Sequence, residues 1–363
     1  MSASRIWLAL LSTLTLILSD GALAQQAQQA QQPKKRNIVI LATGGTIAGA
    51  AASGTQAGYT SGAVTIDAML AAVPGIDKLA SIKGEQVSNV GSQDMSFDIL
   101  LKLAKRINEL TAKGDVDGIV ITHGTDTMEE SAYFLNLTAK TDKPVVLVGS
   151  MRPSTAVSAD GPLNLYNAVA VAADSKARGR GVLVVMNDEI HGAHSLTKTS
   201  TTAVETFMSP KRGLIGIVHY GKTDFYNNPP WKHTTQSEFD VTNVTKLPRV
   251  DIIFACLDMS PEIITTDVAG GAVKGLVIAG VGNGNMNKGS VDAAAAAVKK
   301  GVVVVRSSRV PTGVVGRNVE LDDDKLGFIA SDELNPQKAR ILLTLALLKQ
   351  RTPADIQKLY YTY

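Results

Sequence analysis

From Asn37 to the C-terminus, short runs rich in Val and Ile recur at intervals filled by stretches of helical period, and few folds accept that alternation. The runs Asn37 to Leu41, Gly118 to Thr122, Val145 to Gly149 and Gly181 to Met186 read as strands. Helix-period segments separate them at Ser96 to Ala112, Thr127 to Ala139 and Pro162 to Ala173. This is an α/β pattern with a mainly parallel sheet. The text changes at residues 227–249, where Asn227-Asn228-Pro229-Pro230-Trp231 opens a polar stretch of neither period, read as an interdomain linker. Strand-like runs then return at Val250 to Leu257, Gly275 to Ala279 and Val302 to Ser307, with helices near Val291 to Lys300 and Gln337 to Lys349. The expected organisation is a larger α/β domain over 37–226 and a smaller C-terminal α/β domain over 250–363.

Upstream of the first strand, Met1 to Ala24 has one early cation, Arg5, an apolar stretch from Ile6 to Leu18, and the small-residue ending Ala22-Leu23-Ala24. We read it as a secretory signal cleaved after Ala24. It is too short, and too interrupted by Ser12, Thr13 and Thr15, for a membrane anchor. Residues 25–36, a Gln/Ala tract closed by Pro33-Lys34-Lys35-Arg36, read as a disordered leader. The chain has 36 basic and 33 acidic residues without long runs of either sign, which argues against a nucleic-acid partner. Cys256 is the sole cysteine, so no intrachain disulfide can form, and its apolar neighbourhood predicts a buried, inert thiol.

Two strand ends carry the chemistry. Thr43-Gly44-Gly45-Thr46-Ile47-Ala48-Gly49 follows the first strand, and His123-Gly124-Thr125-Asp126-Thr127-Met128-Glu129-Glu130 follows the strand ending at Thr122. Open α/β sheets bind ligands at the C-terminal ends of their strands, and glycines there let backbone N–H groups approach a substrate. Neither stretch has the spacing of a nucleotide-binding loop. Thr-Asp ahead of a helix is also good capping chemistry, which is compatible with a catalytic role.

This pair of segments resembles the two signatures of bacterial type II (periplasmic) L-asparaginases, in the asparaginase/glutaminase family. The likeness continues through Gly91-Ser92-Gln93-Asp94-Met95, Met151-Arg152-Pro153-Ser154, Ser158-Ala159-Asp160-Gly161-Pro162, Thr197-Lys198-Thr199, Gly282-Asn283-Gly284-Asn285, Arg306-Ser307-Ser308-Arg309-Val310-Pro311-Thr312-Gly313 and Leu334-Asn335-Pro336-Gln337-Lys338-Ala339-Arg340. An ordered series over the whole of 37–363 is specific.

The resemblance implies a flavodoxin-like larger domain and hydrolysis of L-asparagine to L-aspartate and ammonia, with weaker activity on L-glutamine. It makes Thr46 the nucleophile, supported by Tyr59 on a mobile loop, with Thr125, Asp126 and Lys198 as the second catalytic group. A threonine hydroxyl needs a base within hydrogen-bond reach, which a tyrosine or a neutral lysine can supply. For Lys198 two readings stand, a base and a plain ion pair with Asp126 that orders the site. Backbone N–H groups of Thr46 and Thr125 would hold the oxyanion. Ser92 would bind the substrate α-carboxylate, while Asp126, Gln93 and Glu320 of a neighbouring subunit, with Asn285 beside it, would bind the α-ammonium. Asn285 leans toward asparagine, because strongly glutaminase-active relatives tend to carry serine there. The resemblance also implies a homotetramer built from two intimate dimers, export to the periplasm, and no cofactor or metal.

Ala193-His194-Ser195 departs from the Gly-Arg-Asp of relatives, which removes a salt bridge that would brace the hairpin before Lys198. His191 and His194 read as two solvated histidines rather than metal ligands, since no ligand cluster accompanies them. A type I enzyme or an amidotransferase component would lack Ala22-Leu23-Ala24 and its export signal. An exported amino-acid receptor would keep the signal and the pocket, but would leave Thr46, Thr125 and Lys198 without a role.

Overall fold

The computed structural model describes residues 34–56 and 58–363. The expected signal segment, 1–24, and the leader as far as residue 33 lie outside the described residues. Strand β1 (Arg36–Gly44) alternates strictly: Ile38 and Ile40 pack on one face of the sheet, Val39 and Leu41 on the other, all buried. The chain continues through β2 (Ala80–Val90), β3 (Gly118–Thr122), β4 (Val145–Val148), β5 (Val182–Met186), β6 (Glu189–Gly192), a short hairpin of β7 (Thr197–Lys198) and β8 (Phe207–Met208), then β9 (Gly216–His219) and β10 (Lys222–Phe225). All but the hairpin form one eight-stranded sheet in the order β10-β9-β6-β5-β4-β3-β1-β2.

From β2 to β5 every pairing is parallel, and from β5 to β10 every pairing is antiparallel. The parallel part is the flavodoxin-like order, with the chain reversing its winding between β1 and β3. Helices Phe97–Ala112 and Met128–Thr138 cover one face, and Gly161–Ala173 covers the other. Central strands buried on both faces need unbroken apolar runs, which is why β3, β4 and β5 read so plainly in the sequence.

A second sheet, β11 (Arg249–Phe254), β12 (Val273–Gly280), β13 (Val303–Ser308) and β14 (Phe328–Ala330), is parallel throughout. Helix Pro336–Ala346 lies between the two sheets. Its Ile341, Leu342 and Leu345 share one hydrophobic core with Leu103 and Phe134 of the first lobe and with Val277 and Val305 of the second. Arg36–Tyr363 is accordingly one compact unit. The segment 227–249 is irregular apart from a 3-10 turn at Thr234–Gln236, yet it buries His233, Phe239, Val241 and Leu247. It is a packed strap rather than a free tether.

Three expectations are corrected. Cys256 is exposed rather than buried, because β11 ends at Phe254 and the chain turns into solvent at Asp258, whose φ is 55°. His191 and His194 are buried rather than solvated. His191 sits inside β6, its Nδ1 3.0 Å from Ser209 Oγ, and His194 stacks on Trp231 with ring centroids 3.4 Å apart. The strap, through Trp231, supplies the cover over His194 that the sequence around it did not reveal.

Candidate active site

The three neighbouring parallel strands β2, β1 and β3 end in the loops that carry Ser92, Thr46 and Thr125. Residues Ala42 of β1 and Thr122 of β3 are paired, so the two chains leave the sheet side by side. Gly44 and Gly45 then take φ values of 104° and 80°, a region that L side chains rarely enter. A Cβ on Gly45 would lie 2.3 Å from the Gly124 nitrogen, so only glycine allows the loop after β1 to rest on the loop after β3. That contact brings Thr46 and Thr125 together at the point where the sheet reverses its winding, where ligands of such sheets bind.

Thr46 opens a 3-10 turn, Thr46–Ala48, and is 7% exposed. Its Oγ1 lies 2.6 Å from the hydroxyl oxygen of Tyr59, and either group can donate. The chain returns because Ala50 and Thr60 exchange backbone hydrogen bonds of 3.1 and 2.9 Å. Gly49 leaves room for the Tyr59 ring, which a Cβ there would meet at 2.7 Å. Tyr59 itself is 43% exposed, on the open side of the site.

Thr125 is also buried. Its Oγ1 accepts a 3.0 Å hydrogen bond from Lys198 Nζ, which also contacts Asp126 Oδ1 at 2.7 Å. Lys198 reaches Thr125 from the β7–β8 hairpin, where it pairs with Phe207. Ser92 locks the third loop to the second: its Oγ accepts from the Asp126 amide at 3.0 Å, and its carbonyl accepts from Thr127 Oγ1 at 2.7 Å. His123, fully buried, is pushed down to about 4 by that burial, so it is neutral at physiological pH. Its Nδ1 lies 2.6 Å from the Gly124 carbonyl, which can only accept, and the contact fixes the loop ahead of Thr125.

Gln93 is exposed at the same rim and donates to Asp94. Asn285 and Glu320 lie elsewhere, bonded to each other in the second lobe. Among the described residues, no hydrogen bond or ion pair joins either to Thr46, Thr125 or Lys198. Behind them stands Arg306 of β13, which the sequence reading quoted within a motif but gave no role. It is 1% exposed, grips Asp323 with contacts of 2.6 and 2.7 Å, and donates to the carbonyls of Asn283, Gly284 and Gly316. It thereby ties the loop of Asn285 to the loop of Glu320. A charged residue directly after the Val302 to Val305 run, still within strand β13, was the available signal. Among the described residues no cluster of three or more His, Cys, Asp or Glu could hold a metal ion.

Comparison with known proteins gives a consistent result. The model of the family described as "Asparaginase, N-terminal" matches residues 37–231, and that of the "Glutaminase/Asparaginase C-terminal domain" matches 249–360. The chain is 55% identical over 324 residues to the "Probable L-asparaginase periplasmic" of Haemophilus influenzae, covering 89% of this chain and 92% of that protein. It is 52% identical over 327 residues to "L-asparaginase 2" of Escherichia coli, covering 90% and 93%. A "Glutaminase-asparaginase" of Pseudomonas fluorescens is 46% identical over 352 residues, covering 96% and 97%. Among solved structures, the "Probable Cytoplasmic L-asparaginase from Campylobacter jejuni" superposes with a TM-score of 0.88 at 49% identity, covering 91% of this chain and all of that one. Matched along nearly its whole described length, in both lobes and in fold, the chain belongs to the glutaminase/asparaginase family.

Proposed function

We propose that this protein is an L-asparaginase that hydrolyses the side-chain amide of asparagine to aspartate and ammonia through a threonine nucleophile, with weaker activity on glutamine. The observation that supports the reading is that the loops after β1 and β3 rest on each other, with Thr46 Oγ1 hydrogen-bonded to Tyr59 and Thr125 Oγ1 hydrogen-bonded to Lys198. In the first half-reaction Thr46 Oγ1 attacks the amide carbon as its proton passes to the Tyr59 oxygen and the Tyr59 proton passes on to the amide nitrogen, so that the C–N bond breaks, an ester forms on Thr46 and ammonia leaves. Backbone N–H groups at the ends of β1 and β3 receive the charge on the oxyanion. In the second half-reaction water attacks the ester formed on Thr46, Thr125 and Lys198 relay its proton to the departing Thr46 Oγ1, the acyl C–O bond breaks to release aspartate, and Asp126 holds Lys198 in place.

Ser92 and the amide beside Asp126 bind the α-carboxylate. The Asp126 carboxylate and Gln93 bind the α-ammonium. Glu320, supported by Asn285, completes that ammonium site for a second copy of the chain, and the working assembly is a homotetramer of intimate dimers. Glutamine is longer by one methylene, a difference that pockets distinguish by only about 1–3 kcal/mol. Export to the periplasm is supported by Ala22-Leu23-Ala24 and by the name of the Haemophilus relative. The solved Campylobacter protein is called cytoplasmic, so the fold itself does not decide the compartment.

The test is ammonia release by the purified protein from asparagine and from glutamine, with and without a chelator, beside Thr46→Ala and Thr125→Ala. Release from asparagine should survive the chelator and fall by about a thousandfold or more in each variant. Binding of asparagine with no ammonia released by the wild type would leave a receptor in place of an enzyme.

A further inference from the structure

Helix Pro336–Ala346 begins with Asn335 as its cap and places Lys338 in its first turn, 2% exposed. Burial pushes this lysine down to about 8, with Glu129 acting against the shift and Lys211 acting with it. A buried ammonium is tolerated where its donors are used, and here they are used on two segments far away in sequence. Lys338 Nζ donates to the carbonyl of His194 at 2.8 Å and to that of Leu196. It also stands 3.9 Å from Glu129 Oε2, which accepts a 3.0 Å hydrogen bond from Asn335 Nδ2.

Those two segments are the supports of the second catalytic group. Leu196 comes two residues before Lys198. The turn that carries it is closed on one side by the Gly192 carbonyl, which accepts from the amides of Ser195 and Leu196 at 3.2 Å. Lys338 closes the other side. Glu129 is 5% exposed and lies three residues after Asp126, in the first turn of helix Met128–Thr138.

Resting on the reading above, we infer that Lys338 is a positioning residue: from the second lobe it clamps the turn before Lys198 to the helix start after Asp126, and so sets the Lys198 to Thr125 contact. It touches no reacting atom. Its effect is transmitted through a 3.0 Å hydrogen bond whose misplacement by about 1 Å is enough to cost on the order of a hundredfold in rate. In place of the salt bridge that Ala193-His194-Ser195 does not offer, the turn is held by Lys338 below it and by the His194–Trp231 stack beside it.

The experiment uses the full-length enzyme and follows thermal midpoint, kcat and KM for asparagine in Lys338→Met, Lys338→Arg and Glu129→Gln, and in Lys338→Met combined with Lys198→Met. Folded Lys338→Met should lose about 10- to 100-fold in kcat with KM held within about threefold, and Lys338→Arg should recover part of the loss. Added to Lys198→Met, the same substitution should cost less than about twofold more, because both act through one contact. An unchanged kcat in folded Lys338→Met, or a full repeat of its loss in the Lys198→Met background, would overturn the inference. If Lys338→Met does not fold, Glu129→Gln carries the test, with about a three- to tenfold loss in kcat expected and no loss overturning it. A wild type that releases no ammonia would instead sink the underlying assignment.

Discussion

Two ion pairs in this chain have similar lengths and opposite surroundings. Arg306 and Asp323 are sealed, 1% and 0% exposed, joined through two contacts, with the remaining guanidinium donors spent on three carbonyls. Lys198 and Asp126 share a single 2.7 Å contact and are 17% and 59% exposed. The sealed pair is shut off from solvent and holds two loops in register. The open pair is poorly placed to stabilise the fold, since exposed pairs contribute only about 0–1 kcal/mol, but it stands beside the Thr125 hydroxyl, to which the proposed mechanism gives a proton relay. On the proposed mechanism, charge in this molecule serves rigidity in the second lobe and chemistry in the first.

That contrast can be broken from either side. Arg306→Met leaves Asp323 buried without its partner and should destabilise the chain by about 3–5 kcal/mol in denaturant unfolding. A variant as stable as the wild type would mean that the loops hold without any of the Arg306 contacts. Lys198→Met should do the reverse, lowering kcat by about a hundredfold or more while the thermal midpoint moves by no more than about 1–2 °C. A large fall in stability would recast Lys198 as structural.

Glu130 sharpens the comparison as an intermediate case, 22% exposed and 3.8 Å from Arg340. Burial, with Glu129 adding to it and Arg340 opposing, raises Glu130 to about 7. A carboxyl raised on folding contributes stability that is fully present below its unfolded value near 4.5 and is lost as pH climbs through 7. Glu130→Gln should therefore match the wild type near pH 4.5 and gain on it toward pH 8, by at most about 3 kcal/mol. Parallel stability curves across that range would show that the Arg340 contact outweighs burial.

Reading the sequence worked where one physical cause dominated. Strands β3, β4 and β5 are buried on both faces and spell themselves out in Val and Ile. Strand β2 was not legible, because it is the edge of the sheet and its Lys83, Gly84, Glu85 and Gln86 face outward or half outward. The antiparallel strands β9 and β10 hide because each has only four residues, with exposed positions at every second one. Of the site, Thr46, Tyr59, Ser92, Thr125, Asp126 and Lys198 were named through family resemblance, and the fold brings their loops to one rim. Asn285 and Glu320 were named too, but they meet each other rather than the threonines of their own chain. Lys338 and Glu129 were quoted within motifs but given no role, because what matters about them is a contact across 209 positions that no local pattern encodes. The histidines misled because Trp231, which covers His194, comes from a stretch that reads as solvent-facing.

The claim on which all of this depends is that Thr46 carries the acyl group. Rapid-quench mass spectrometry of Lys198→Met during turnover of asparagine tests it directly, since slowing the water step should let the intermediate accumulate. The account predicts one β-aspartyl group, mapped to the peptide containing Thr46 and absent when Thr46→Ala is added. Aspartyl label on Thr125 instead, or full turnover by Thr46→Ala, would contradict it.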